Sequence, residues 1–412
     1  MYRSFPRVFK DEASLKVYTL GVILLFVYLA DAILSYWVPN FIENTFQSSI
    51  MMGLIISFSS IIGFGSDIFF PQVLRVTKVG RLIGLGIITS LLFSVLLFKV
   101  TFTPTVLILL VAMAVWGIYY ELLGFGEQQF IADAIPLKSH TSAWGILTIF
   151  RSLAYFFGPL LAGFIILNGE TLPLIAAFLL TSIGLMILFL TKNKHERPMQ
   201  IEVREVNLIR ELTHWKALFI HVWPVIVMST FMGIIDATFW TTGAVWTEAL
   251  STRNFWGSLF LPLYTLPSLF MGIVIARWGI VSGKKRLSEK FLLFSGLFLV
   301  LLGVSSSIFL QLFFVFISSI LLSAAFPLVD AVYSDIVARM GRERRHLIGL
   351  SRSTISIAYI VGPILAGFIA NAVGASLTFS VVGFFAFLVS VILLLTTPKK
   401  LRLPQVEIHE WE

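Results

Sequence analysis

The chain has 412 residues, 58% of them hydrophobic and 13% charged, with 39 Phe, a net charge of +8 and no Cys. So little polar surface excludes a soluble multidomain body of this size. The lack of Cys removes disulfides and thiolate metal sites and fits a prokaryotic inner membrane.

The N-terminal "MYRSFPRVFKDEASLK" has no short apolar core followed by a small-residue cleavage site, and it reads as a retained cytoplasmic lead-in. Twelve apolar stretches follow, near 18–39, 48–73, 80–98, 104–132, 142–167, 172–191, 217–246, 255–276, 290–306, 308–335, 349–371 and 375–396. They approach or reach the ~20 residues that cross a bilayer core, which predicts an all-α integral membrane protein with twelve transmembrane helices. The loops on the N-terminal side carry Arg75, Lys78 and Arg81, Lys138, the basic 193–216 connector, Arg277 to Lys290, Arg339 to Arg345 and Lys399 to Arg402. Only Lys99 and Arg253 lie near the other face. The positive-inside bias therefore puts both termini in the cytoplasm. The basic balance is a topology signal, and no nucleic-acid partner is expected.

Acidic residues inside the spans carry the chemistry, because a lipid-facing carboxylate at mid-membrane costs about 3 kcal/mol. Asp31 lies well inside span 1, roughly 20 Å along the helix. It faces a cavity, a partner or a proton. Span 2 ends in Gly63-x-x-x-Asp67. In span 4, Gly117, Glu121, Gly124 and Gln128 recur at i, i+4, i+7 and i+11, which puts Glu121 on a small, polar helix face. Trp116, Tyr119 and Tyr120 flank it and suit an apolar or aromatic substrate, or pack as ordinary core rings. Glu127 falls on a different face, within reach of a base. Arg151 is the one base well inside a span, ~13 Å along span 5, at the level of Glu121 or Glu127. An ion pair favours the charged form of a carboxylate and burial the neutral form, so such a pair either couples to protons or ties spans 4 and 5 together.

The stretch from Lys192 to Lys216 is the one long polar segment inside the chain, with six spans on each side. It divides the chain into a first bundle (1–192), a linker (193–216), a second bundle (217–396) and a cytoplasmic tail (397–412). Apolar residues at 203, 206, 208, 209 and 212 predict a short amphipathic surface helix within the linker.

The two halves repeat. "YFFGPLLAGFI", Tyr155 to Ile165, returns as "YIVGPILAGFI", Tyr359 to Ile369, inside windows that share 11 of 21 positions at an offset of 204. Asp31 to Glu43 matches Asp236 to Glu248 at an offset of 205, so Asp236 is the mate of Asp31. Gly63 and Asp67 correspond to Gly272 and Ala276, followed by Arg277 and Gly279. Gln128 and Asp133 fall opposite Asp330 and Asp335 at an offset of 202. Ser323, Pro327, Asp330 and Ser334 share one face of span 10, which makes Asp330 the candidate carboxylate of the second half. Six plus six spans in one orientation are parallel repeats.

With these matches the chain resembles the major facilitator superfamily over nearly its whole length. The family's Gly-x-x-x-Asp-Arg-x-Gly signature between spans 2 and 3 is carried in part by Gly63 and Asp67, and in the second half by Gly272, Arg277 and Gly279. Gly145, Ala154, Gly158, Pro159, Ala162 and Gly163 resemble the family's antiporter signature in span 5, repeated in span 11 as Gly349, Ala358, Gly362, Pro363, Ala366 and Gly367. Physically, small residues four apart make a smooth stripe for close helix approach, and Pro permits a bend. The stripe reads equally as an antiporter element or as plain packing.

The resemblance implies two pseudo-symmetric six-helix bundles working by alternating access, with spans 1, 4, 7 and 10 lining a central cavity. It implies a gating role for Asp67 with Arg75, Lys78, Arg81 and Arg277. The expected function is proton-coupled efflux of small, partly apolar molecules along Asp31, Glu121, Gln128, Arg151, Asp236 and Asp330. Glu121 is the first choice for the proton-linked group, with Glu127 and Asp330 behind it. The alternative is a proton-coupled symporter importing a sugar, nucleoside or similar nutrient. A membrane enzyme lacks its usual parts here, since five of six His lie in loops or tails and no phosphate-cradling loop or His-x-x-x-His pair occurs. A non-transporting scaffold is the remaining class. No metal or cofactor is expected beyond a proton gradient, and the expected partners are a small-molecule substrate and the lipid bilayer, around a monomer in the inner membrane.

Overall fold

The structure, a computed structural model, describes residues 12–73, 78–135, 140–191, 208–271, 274, 283–337 and 344–398. Lipid offers a backbone N–H or C=O no water, so each apolar stretch closes its hydrogen bonds within itself. The described regular structure is accordingly helical throughout, and eleven segments are long and apolar enough to cross a membrane.

Six helices precede the linker: α1 (Glu12–Phe46), α2 (Ser49–Val73), α3 (Val79–Phe102), α4 (Val106–Ala134), α5 (His140–Ile166) and α6 (Leu172–Thr191). After it come α7 (Leu208–Thr238), a π-helical turn (Phe239–Gly243) and α8 (Ala244–Ser251), which together form the seventh span. The eighth predicted span is described over Phe255–Met271, as a 3-10 turn (Phe255–Leu259), α9 (Phe260–Thr265) and, after a break at Leu266 and Pro267, a further helical turn to Met271. Then follow α10 (Lys284–Val304), α11 (Ile308–Val337), α12 (Arg344–Val373) and α13 (Ala375–Thr396). Gly374, at φ 88 and ψ 160, takes a positive-φ conformation that favours glycine, between the end of α12 and the start of α13 at the next residue.

Two expectations change. The amphipathic linker helix is not separate where it is described: Leu208 to Leu212 begin α7, which runs unbroken to Thr238, while 203–207 lie outside the described residues. Span 7 is not one regular helix but contains the π turn. Its repeat mate in α1, 205 residues earlier, stays α-helical but carries Pro39 inside the helix, the counterpart of Ala244 that directly follows the π turn. A proline lacks the N–H, and a π turn loosens the ladder, so both copies weaken the helix at one repeat position by different means.

The chain forms two compact units, Met1–Val38 with Gly65–Glu202, and Pro39–Phe64 with Val203–Glu412. In the first, α3 packs against α4 and α6, and Gly86 brings α3 onto the Leu123 backbone of α4. In the second, α10 packs against α11 and α13, and Gly296 and Gly383 let the α10 and α13 backbones meet. These are the repeat-equivalent pairs, third span on fourth and sixth, ninth on tenth and twelfth. Residues 39–64 belong to the second unit through backbone contacts, with Gly53 against Pro363, Gly367 against Ser49, and Asn40 Nδ2 donating to Ala244 O at 3.4 Å.

The α10 start holds the end of α13. Lys285 Nζ donates to Thr397 Oγ1 and, at 3.1 Å, to Pro398 O, while Arg286 Nη1 donates to Leu394 O. Buried Glu289 pairs with Lys285 at 2.7 Å. Basic groups on the last carbonyls of a helix satisfy acceptors the helix cannot, and oppose its negative end.

Candidate functional site

In the first unit the site begins with a glycine. A Cβ on Gly158 of α5 would collide with the Cβ and backbone of Ala32 on α1, so the two helices touch at that point. Tyr155 lies three residues before Gly158 and Asp31 one residue before Ala32. The close approach therefore carries the Tyr155 hydroxyl to Asp31 Oδ2, to which it donates at 2.5 Å. Helix α4 adds Tyr120 Oη to the same oxygen at 2.6 Å and Trp116 Nε1 to Oδ1 at 2.8 Å. Trp116 is held in turn by stacking on Phe93, 5.0 Å away. With three donors and 1% exposure, Asp31 is a closed, fully bonded carboxylate.

The same three helices build a second cluster toward the N-terminal ends of α1 and α5. Glu127 of α4, 1% exposed, accepts from Arg151 Nη2 of α5 at 2.7 Å through Oε2 and from the Tyr28 hydroxyl of α1 through Oε1. Arg151 Nη2 also donates to Tyr28 Oη at 2.7 Å, and the guanidinium carbon lies 4.7 Å from the centre of the Tyr28 ring. The charge pair is lopsided. The Arg151 side chain keeps 43% of its surface exposed.

The second unit repeats the first device. Gly362 of α12 sits on Ala237 of α7, and Tyr359, three residues before that glycine, donates to Asp236 Oδ2. Tyr264 of α9 donates to Oδ1 and stacks on Phe239 of the π turn, with ring centres 3.8 Å apart. The repeated Asp-Ala and Tyr-x-x-Gly-Pro elements are thus two halves of one joint, built once in each unit. Removing the hydroxyl of Tyr155 or Tyr359 as Phe leaves a carboxylate oxygen with one donor fewer. Each change is expected to cost about 1–2 kcal/mol, read as a lower thermal midpoint of the purified protein.

The structure brings together some of the residues selected from sequence and separates others. Arg151 pairs with Glu127, and Glu121 and Gln128 lie partly buried elsewhere on α4. Trp116 and Tyr120, read as flanking Glu121, bond Asp31, while Tyr119 is buried. Asp330 of α11 is exposed. Of the proposed gating set, Lys78 stands at the residue before α3 with no side-chain bond to the helix start, and Arg81 is exposed one turn later. Arg75, Arg277 and the side chain of Asp67 lie outside the described residues. In the small-residue stripes, Gly158, Gly362 and Gly367 are tight contacts, Gly163 has only ordinary contact with Tyr36, and Gly145 faces open space. Pro159 and Pro363 lie inside α5 and α12, and Gly349 also falls in α12. Tyr28, Tyr155, Tyr264 and Tyr359 were not selected as site residues from sequence. A signal existed for two of them, since Tyr155 and Tyr359 open the two copies of the repeated element at the offset of 204.

Eleven membrane-length helical segments among the described residues, in repeat-related units and with buried carboxylates bonded inside the spans, define a polytopic membrane protein. The family model for the Major Facilitator Superfamily matches residues 20–304 and 250–410. The chain belongs to that superfamily. Among solved structures it is similar to the human organic anion transporter MFSD10 (TETRAN), at 15% identity over 93% of this chain and 100% of that one, with a TM-score of 0.64. A POT family transporter in complex with a thioalcohol-conjugated peptide has 12% identity over 93% and 96% of the two chains, at a TM-score of 0.76. A bacterial homolog of the human lysosomal transporter Spinster, in an inward-facing and occupied conformation, has 15% identity over 93% and 96%, at 0.66. Identities this low carry the fold alone. No curated protein sequence matches the chain significantly. The protein is a multi-pass membrane transporter of that superfamily.

Proposed function

We propose that the protein is a proton-coupled secondary transporter for small, partly apolar molecules, and that Glu127, paired with Arg151 and Tyr28, is its coupling carboxylate. The observation that carries this reading is the burial of Glu127 behind a half-exposed arginine. A sealed carboxylate keeps its charge only while its cation and hydroxyl partners stay in place, so any rearrangement of α1, α4 and α5 that pulls them away favours uptake of a proton. Glu121, the first choice from sequence, is less deeply buried on α4 than Glu127. Asp31 and Asp236 serve in this reading as fixed joints, because their oxygens are taken by Trp and Tyr donors.

Export was inferred from the stripe in spans 5 and 11, but Gly158 on Ala32 and Gly362 on Ala237 give that stripe a packing role with no direction in it. Import by symport is favoured by the ion pair, at which a proton and a substrate replace each other's partner on the same side of the membrane. The proposed setting is the inner membrane, with both termini cytoplasmic, the proton gradient as energy source and a monomer as the working unit. Proteoliposome flux of a compound panel under an imposed pH gradient tests the reading. Accumulation of at least one compound that follows the sign of the gradient is expected, and flux indifferent to the gradient across the panel overturns it.

A further inference from the structure

We propose that Arg151 is the recognition point for a carboxylate on the transported molecule and that Glu127 takes up one proton as that carboxylate arrives. This rests on the proton-coupled reading and adds a substrate class. Arg151 donates through Nη2 to Glu127 Oε2 and Tyr28 Oη. Nη1 takes part in neither, and Nε is buried with no hydrogen-bond partner among the described residues. The cation is 43% exposed and its counter-ion 1%, so the site presents positive charge outward and keeps the negative charge behind it. A guanidinium offers a planar fork of N–H donors that fits a carboxylate better than it fits a point acceptor.

The neighbouring acid does not offer a cation the same welcome. Asp31 is 1% exposed and its oxygens already receive Trp116, Tyr120 and Tyr155. The ring of Tyr120, 37% exposed beside that cluster, gives an apolar body something to lie against. The preferred ligand is therefore a small monocarboxylate with an aromatic or apolar body.

Charge balance fixes the rest. Empty, the Arg151–Glu127 pair sums to zero. A carboxylate bound to Arg151 adds one negative charge to a poorly solvated site, which is costly unless it is neutralised. One proton from the aqueous phase, taken by Glu127, restores zero: the Glu127 to Arg151 contact breaks, the substrate to Arg151 contact forms, and Glu127 becomes neutral. The groups that face Glu127 are Tyr28 from α1 and Arg151 from α5, with Ile83 from α3 packed against the adjacent Gly126. Anion and proton travel together, one to one, and the loaded and empty sites carry equal charge.

The test uses the full chain in detergent with benzoate, phenylacetate and cinnamate, each beside its amide and the matching amine. Carboxylates are expected to raise the thermal midpoint while amides and amines leave it unchanged. Affinity should fall roughly tenfold or more in Arg151→Gln, the size of a lost charge-assisted bond. Because Arg151→Gln leaves Glu127 unpaired and can fail to fold, the double variant Glu127→Gln with Arg151→Gln, which buries no lone charge, is expected to fold and not bind. Glu127→Gln alone is expected to bind carboxylates with the pH dependence removed. In proteoliposomes, carboxylate uptake at a fixed pH gradient should not respond to a clamped membrane potential. The proposal is overturned if no carboxylate stabilises the protein, if amides or amines do so equally, or if binding survives in the double variant. Uptake of a neutral or cationic compound that is driven by the pH gradient and lost in Glu127→Gln sinks the carboxylate while sparing proton coupling. Loss of gradient-driven uptake for every compound sinks both.

Discussion

Gly158→Val and Gly362→Val are expected to abolish a stable fold, or to lower stability by about 3 kcal/mol, while Gly145→Val is tolerated within about 0.5 kcal/mol. All three replace a helical glycine, which by helix propensity alone gains several tenths of a kcal/mol. The sign is therefore set by space. A Cβ on Gly158 meets not only the Ala32 side chain but its backbone C and Cα at 3.1 and 3.2 Å, and backbone cannot swing aside. At Gly362 the Ala237 Cβ stands 2.7 Å away, while the Ile234 backbone lies at ordinary contact distance, 3.4 Å and beyond. Gly145 has nothing within 4 Å. Forcing α1 and α5 apart also takes Tyr155 from Asp31, so the packing loss and the lost hydrogen bond add. Thermal unfolding of the three purified variants checks this, and equal midpoints for Gly145→Val and Gly158→Val would remove the joint from the account.

Arg151→Leu is expected to destabilise the protein by about 2–4 kcal/mol, because Glu127 at 1% exposure keeps its burial and loses its counter-charge. The figure sits below that for a fully buried pair because Arg151 itself is part exposed. Replacing both partners, Glu127→Leu with Arg151→Leu, should restore most of the loss, since removing a whole buried pair is far less costly than removing half of it. Thermal midpoints of the two single variants and the double, taken as a cycle, measure this. A double variant as unstable as the sum of the singles would mean that the two side chains do not act as a pair.

Hydropathy and repetition carried most of the fold. Both ends of α13 and the starts of α2 and α6 fall within a residue of the ends of the apolar runs, because in lipid the length of the run is the physical constraint. The duplication found Asp31 and Asp236, and depth along span 5 found Arg151. What sequence left undecided was which face of α4 turns toward its neighbours. Glycines at 117 and 124 marked a small face for Glu121, yet a glycine signals either open space or close packing: Gly124 has nothing within 4 Å, whereas Gly126, beside Glu127, is pressed against Ile83. Glu127 turned out to face α1 and α5. The tyrosine donors were hidden for a related reason, since aromatic residues are common in every span and only their partner reveals a hydroxyl's role. The π turn had no signal at all, because span 7 holds no residue more than its mate in span 1 between the matched Asp and Glu. The basic residues at the start of α10 were read as topology charges; Lys285 and Arg286 also cap α13, a tertiary use that loop counting does not detect.

The central claim, that Glu127 and not Glu121 couples transport to protons, is tested most directly in proteoliposomes loaded with a transported compound. Exchange across the membrane without a pH gradient is compared with accumulation driven by one, for wild type, Glu127→Gln and Glu121→Gln. Glu127→Gln keeps the shape of the side chain and removes its titration, so exchange is expected to persist while driven accumulation falls to the equilibrium level, and Glu121→Gln is expected to accumulate like wild type. Normal pH-driven accumulation by Glu127→Gln, or its loss in Glu121→Gln alone, would contradict the account.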